Sequence, residues 1–237
     1  MDFESFKPLL HKSWWSKLQP FIESEECDRI YKFLKKDAKR GRILCPSSSN
    51  VWRCFLETPY DDVRVIMCGL SPYHSLIYGK PIADGLLMSC SITDKLQPSL
   101  EQWYSALKKD IYHGLDIEIE KSPSLVYLAK QGVLMLNASL TTEANKAGSH
   151  LALWEPFMKY LFEDVLVTTG IPVIFLGKEA AKLEKYVMPF TWIFKLSHPA
   201  SAAYTQTEWS SEGTFTKVSK ILKGNNNQKI QWLNTEI

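Results

Sequence analysis

One short stretch constrains this chain more than any other. Val63–Cys68 is an apolar run broken only by Arg64; Gly69 ends it, and Leu70, Ser71, Pro72, Tyr73 and His74 follow at once. An apolar run of this length that empties into a Gly/Pro turn reads as a buried strand. In open α/β sheets, ligands bind outside the carboxyl ends of such strands. The polar kink is therefore the first candidate site.

The rest of the chain fits the same plan. Trp14, Leu18, Phe21 and Ile22 recur at helical spacing, as do Cys27, Ile30, Tyr31 and Leu34. The basic run Lys35 to Arg42 is either a solvated helix end or a phosphate-contacting patch. Pro46 to Asn50 reads as a loop, and Val51, Phe55 and Leu56 as a short helix. Beyond the first strand the spacing predicts helices from Gln97-Pro98-Ser99 to about Lys109, over Pro123–Lys130, from Trp154 to about Thr169, over Lys178–Val187 and over Glu212–Leu222. Between them lie apolar strands at Val133–Leu136, ending at Asn137, at Pro172–Leu176, and at Thr191–Leu196, which runs into Ser197-His198-Pro199. The tail is turn-like at Asn225-Asn226-Asn227, then apolar at Ile230 and Trp232.

Strand–helix alternation with near-continuously apolar strands predicts a three-layer α/β/α fold around a four-stranded parallel sheet. No repeat or long linker divides residues 1–237, so one domain is expected. The strand-end rule then delivers three polar groups to one edge: the Ser71–His74 turn, Asn137 and His198.

Composition removes other classes. The 237 residues are 45% hydrophobic and 23% charged, ordinary globular values. No apolar run nears the ~20 residues that span a bilayer, and MDFESFKPLL lacks the basic start of a signal peptide. A soluble, intracellular protein is expected, working in cytoplasm, nucleoid or nucleus. A net charge of +2 leaves nucleic-acid binding open. The five cysteines form no CxxC pair, so reduced buried thiols are expected rather than disulfides or zinc. The tryptophans read as core. GxGxxG, P-loop, HExxH and GxSxG motifs are absent. Glu143 and Glu155 read as isolated surface carboxylates, and His11 and His113 as exposed.

The order of the remaining segments resembles the uracil-DNA glycosylase superfamily. Gly69-Leu-Ser-Pro-Tyr-His74 is similar to its water-activating loop, usually written GQDPYH. Ala83–Ser89 resembles the base-stacking segment, Gln97–Leu100 the phosphate loop, and Gly132–Thr141 with Ala147–His150 the uracil-specificity strand and its extension. Ser197–Ser201 resembles the segment of the catalytic histidine and the minor-groove wedge; Trp209–Phe215 and Ile230–Trp232 resemble the closing elements. The resemblance covers nearly the whole chain in order.

It implies an enzyme that flips a base out of DNA and reads its Watson–Crick edge. Asn137 would accept from uracil N3–H and donate to O4. Tyr73 would exclude the thymine methyl, and His198 would donate to O2 as the base leaves as an anion. His74 would support the loop from behind. Ser99 and Ser201 would contact the DNA backbone, and Ala202 or Ala203 falls where a leucine wedge is usual, with Tyr204 the nearest bulky substitute. The substrate would be uracil-containing DNA, single- or double-stranded, handled by a monomer. No metal or organic cofactor is implied, because hydrolysis needs only water.

Departures from the pattern cluster at the reaction centre. Ser71 stands in place of the aspartate that positions water and supplies negative charge; general-base catalysis alone is worth ~10²–10⁴ in rate. Leu70 replaces a glutamine, Met88 replaces the stacking phenylalanine, and the segment from His74 to Gly85 is several residues longer. Three readings follow: a working glycosylase with weakened or altered chemistry, a non-catalytic homologue serving as a DNA binder or regulator with a protein partner, or a glycosylase for another modified base.

Overall fold

The computed structural model describes residues 3–113, 115, 118–167, 170–225 and 229–233. Thr169, Asn226 and Asn227, which carry parts of the expected helix end and tail, lie outside the described residues.

Four strands form a parallel sheet: β1 (Val65–Gly69), β2 (Val133–Asn137), β3 (Val173–Leu176) and β4 (Ile193–Leu196), in the order β2-β1-β3-β4. The register pairs Val65 with Val133, Gly69 with Asn137, Ile66 with Val173, and Val173 with Ile193. The chain moves from β1 to β2 on one side, then crosses back to β3 on the other. That reversal makes the carboxyl end of β1 the switch point where such sheets hold ligands. Every residue of β1, β2 and β3 is buried. Their near-continuous apolar character is what burial on both faces demands.

Helices cover the sheet in two groups, completing the three layers. In the first, α1 (Lys12–Ile22) packs on α2 (Glu25–Lys39), and α2 on α4 (Leu151–Tyr160). In the second, α3 (Pro98–Tyr112) holds α5 (Pro199–Thr205) and α6 (Thr214–Gly224). Helix α1 buries Trp14, Leu18, Phe21 and Ile22, the stripe read from its spacing. Seven of its neighbours' rings join edge to face: Trp14 meets Phe55 at 4.9 Å, and Trp52 meets Phe157 at 5.1 Å. Of the eight tryptophans, Trp192 is exposed at 56% and Trp15 half-buried, while the other six are core.

Several expectations are corrected by local chemistry. The helix expected over Pro123–Lys130 is a single turn, Val126–Ala129. The helix expected from Trp154 begins earlier, at Leu151, and passes into a π-turn over Leu161–Val165. His11 is not a bare surface residue: it caps α1, its Nδ1 accepting from Ser13 N–H at 3.3 Å. His113 is exposed. Glu143 and Glu155 are not isolated, since Glu143 pairs with Lys146 at 2.9 Å and Glu155 with Lys185 at 2.9 Å. All five cysteines are buried free thiols. Among the described residues no helix is long and apolar enough to cross a membrane.

The basic run ends α2 with Lys35, Lys36, Lys39 and Arg40 exposed, as a solvated helix end does. Within it, Asp37 is turned inward and buried, with Arg42 Nη1 at 3.2 Å. His150 Nε2 stands 3.9 Å from Asp37, and His150 Nδ1 is 2.9 Å from Thr141 Oγ1, which accepts from Trp154 Nε1–H at 2.7 Å. Burial pushes the His150 imidazole below its usual pKa, with Asp37 pulling the other way. This network ties α2 to the segment that follows β2.

Candidate active site

A cavity of about 690 Å³ opens at the carboxyl end of the sheet. Its walls come from the turn after β1, the Leu87-Met88 segment, the start of α3, and the segments after β3 and β4. Among the expected site residues, Leu70, Ser71, Tyr73, His74, Met88, Ser99, His198, Ser201 and Tyr204 all line it. Asn137 and Ala202 do not.

The β1 turn is fastened to the end of β2. Ala138 N–H donates to Gly69 O at 2.8 Å, and Ser139 N–H to Leu70 O at 3.1 Å. Gly148 N–H, from the loop before α4, donates to Ser71 Oγ at 3.0 Å, while Ser71 Oγ–H points to Pro72 O at 3.4 Å. The hydroxyl therefore keeps one acceptor lone pair for a water. Leu70 lies against Gly148, where a Cβ would come 3.4 Å from Leu70 Cδ1.

Tyr73 is braced at its far end. Its hydroxyl donates to Met88 O at 3.1 Å and shares a 2.7 Å hydrogen bond with Ser99 Oγ. Burial pushes the phenol pKa up, so the ring stays neutral. Ser99, expected to meet a phosphate, is instead 3% exposed and spends its hydroxyl on Tyr73. It positions the tyrosine. Met88 holds a left-handed φ of 54°, a conformation costly for a side chain of its size, at the cavity wall.

His198 follows β4 and caps α5. Its Nδ1 accepts from Ala200 N–H at 3.1 Å, which places the ring proton on Nε2. Burial pushes its pKa down to about 4, so the imidazole is neutral at physiological pH. A neutral donor on the cavity wall results. Ser201 is exposed and donates its hydroxyl to His198 O at 2.6 Å. Ala202 is packed into the core and cannot act as a wedge; Tyr204, two residues on, is 83% exposed.

Asn137, the last residue of β2, is 3% exposed, and its Oδ1 is buried with no hydrogen-bond partner. Buried acceptors are nearly always paired, and no protein donor reaches this one. A Cβ on Gly69 would stand 3.5 Å from Asn137 Oδ1 and would collide with Leu87 Cδ1. The end of the Leu87 side chain can turn away from such a methyl, so close packing favours glycine at position 69 without demanding it; Leu87 also lines the cavity. His74 Nδ1 is a second buried atom with no partner.

Sequence reasoning missed Lys178 and Glu179, which also line the cavity, as do Leu87 and Ala147 from segments it had marked. Lys178 and Glu179 follow Gly177 at the end of β3, and the strand-end rule applied to the other three strands would have found them. Glu179 is held by Lys182 at 2.7 Å. No group of three or more His, Cys, Asp or Glu able to hold a metal occurs among the described residues.

The chain has known relatives. The model of the "Uracil DNA glycosylase superfamily" matches residues 56–223. A uracil-DNA glycosylase of Bacillus cytotoxicus is 31% identical over 230 residues, covering 95% of this chain and 97% of the relative. One of Pseudomonas aeruginosa is 32% identical over 227 residues, covering 94% of each. The crystal structure of mimivirus uracil-DNA glycosylase superposes with a TM-score of 0.81 at 24% identity, over 98% of this chain and 89% of that one. The family model spans most of the chain and the relatives cover nearly all of it, so the chain belongs to the uracil DNA glycosylase superfamily.

Proposed function

We propose that this DNA glycosylase takes uracil out of a DNA strand into the cavity at the end of β1 and hydrolyses its N-glycosidic bond. The observation that carries the reading is the buried, unpartnered Oδ1 of Asn137. Uracil N3–H is a donor of the kind that acceptor lacks, whereas cytosine N3 is not. For the base edge to reach it, Leu87 on the cavity wall has to move aside. Tyr73, braced by Ser99 and the Met88 carbonyl, closes the space a C5 methyl would need. His198 Nε2–H donates to O2 as the bond between C1′ and N1 breaks and uracil leaves as an anion. The oxygen of a water held by the free lone pair of Ser71 joins C1′, and its proton passes to solvent, since a serine hydroxyl cannot take it at neutral pH. The result is slow chemistry with recognition kept: Asn137, Tyr73 and His198 recognise, while Ser71 only orients. DNA backbone contacts fall to Ser201 and Tyr204 at the mouth, and the protein acts as a single-domain monomer.

A second reading, a non-catalytic DNA binder, is favoured by one observation: the Ser71 hydroxyl is already engaged by Gly148 N–H and Pro72 O. Incubation with a single-stranded oligonucleotide holding one uracil, followed by alkaline cleavage of abasic sites, separates the two. Excision by the wild type, lost in Asn137→Ala, is the expected result. Tight binding without excision at stoichiometric protein would sustain the second reading instead.

A further inference from the structure

The extra length between His74 and Gly85 is a hairpin. Leu76 pairs with Pro81 and Ile77 with Lys80, and Ile82 N–H returns to Ser75 O at 3.2 Å. Its two-residue tip is Tyr78-Gly79, with φ of 50° and 74°. Positive φ at both central positions is what a type I′ turn requires, and the residue that usually precedes glycine there is Asn or Asp. Their short polar side chains tolerate the left-handed region, which a bulky ring does not favour. A Cβ at Gly79 would meet nothing within 4 Å, so only the backbone conformation asks for glycine there.

Tyr78 is the wrong residue for that turn, and its ring packs on nothing: the side chain is 100% exposed. Neither turn preference nor core burial accounts for it. The hairpin's position does. Ser75 lines the cavity immediately after His74, and the His74 carbonyl is held by Asn145 N–H at 2.9 Å, so the hairpin is rooted on the rim. Lys80, beside the tip, is exposed. Tyr204, a second highly exposed aromatic, lines the same cavity from a different element, α5. A strand delivering one base into the cavity must pass this rim.

We propose that Tyr78 is a stacking platform for an unpaired base flanking the flipped nucleotide, with Lys80 meeting a neighbouring phosphate. The proposal rests on the reading of the cavity as a uracil site. An aromatic ring accepts the face of any base, so the contact adds affinity for single-stranded DNA without adding sequence preference.

Tyr78→Asn separates binding from folding, because asparagine suits the turn while removing the ring. Fluorescence anisotropy with labelled single-stranded oligonucleotides, each with one central uracil or thymine, measures the contact. For Tyr78→Asn the affinity should fall about tenfold, with a melting temperature unchanged or raised. The loss should vanish on an oligonucleotide trimmed back on one side of the uracil, and Tyr78→Phe should bind like the wild type. Wild-type affinity in Tyr78→Asn, or an equal loss on every trimmed oligonucleotide, overturns the proposal. Equal affinity for uracil and thymine with the tenfold loss kept would remove the cavity reading and leave the stacking contact standing. A wild type that binds none of these oligonucleotides overturns both.

Discussion

Replacing Ser71 by aspartate should accelerate uracil excision by about 10²-fold, and the reasoning can be followed atom by atom. Ser71 Oγ accepts from Gly148 N–H at 3.0 Å and donates toward Pro72 O at 3.4 Å. One lone pair is left for a water, and no charge faces the sugar. A carboxylate offers about four lone-pair sites, keeps the Gly148 bond, and adds a negative charge. Against an oxocarbenium centre ~4 Å away, at an effective permittivity of ~20, that charge is worth about 4 kcal/mol. Desolvation of a half-buried carboxylate takes back part of it, leaving about 3 kcal/mol, or roughly 10²-fold in rate. The assay is single-turnover excision from a uracil-containing oligonucleotide, quenched in alkali. Ser71→Asn, similar in shape but uncharged, should stay within about threefold of wild type, far below the ~10² or more that general-base catalysis supplies. A Ser71→Asp variant no faster than Ser71→Asn, with folding and DNA affinity retained, would refute the placement of the reactive water at this residue.

Other outcomes follow from the same contacts. His198 has a folded pKa of about 4, below its usual value of about 6.5; the unfolded chain binds the proton the folded one refuses. Its contribution to stability is therefore complete above about pH 6.5 and drains as the pH falls toward about 4. Melting temperatures of wild type and His198→Gln between pH 4 and 7 should show the steeper slope in the wild type, and parallel slopes would contradict this. Tyr73→Phe deletes the bonds to Ser99 and Met88 and should cost about 1–2 kcal/mol by denaturant titration. Asn137→Ala should reduce excision at least ~100-fold without a comparable loss of stability, because it also removes a buried acceptor whose isolation costs ~1–3 kcal/mol. Calorimetry beside the excision assay checks both halves.

How much of this was legible in the sequence depended on whether a signal was local. Strands β1 to β3 were, because burial on both faces leaves continuous apolar runs that a Gly or Asn terminates; β4, half-buried with Lys195 exposed, was marked by its apolar run and the His–Pro after it. The gathering of Ser71, Tyr73 and His198 was also legible, through the rule that parallel strands present their carboxyl ends to one edge. Ser99 was misread because a serine beside a proline looks the same whether it faces a phosphate or a phenol; only the packing of Tyr73 decides. Ala202 was misread for a like reason, since the rotation of a seven-residue helix is not written in its residues. Asp37 lay hidden inside KKDAKRGR, where the surrounding charges promised solvent, and its partner His150 is more than a hundred positions away. The pairing of Gly148 with Ser71 carries no sequence mark at all.

That last contact has a consequence for how the protein becomes competent. Ser71 and Gly148 are 77 positions apart, and Arg42 and Glu143, whose network steadies the same loop, are 101 apart. Closing such separations must precede any reward from the contacts themselves, so they form with the final native topology rather than ahead of it. The reactive geometry is thus a property of the completed molecule. A core substitution such as one in β2 acts first on the fraction of molecules that possess the site, and only then on the chemistry that fraction performs.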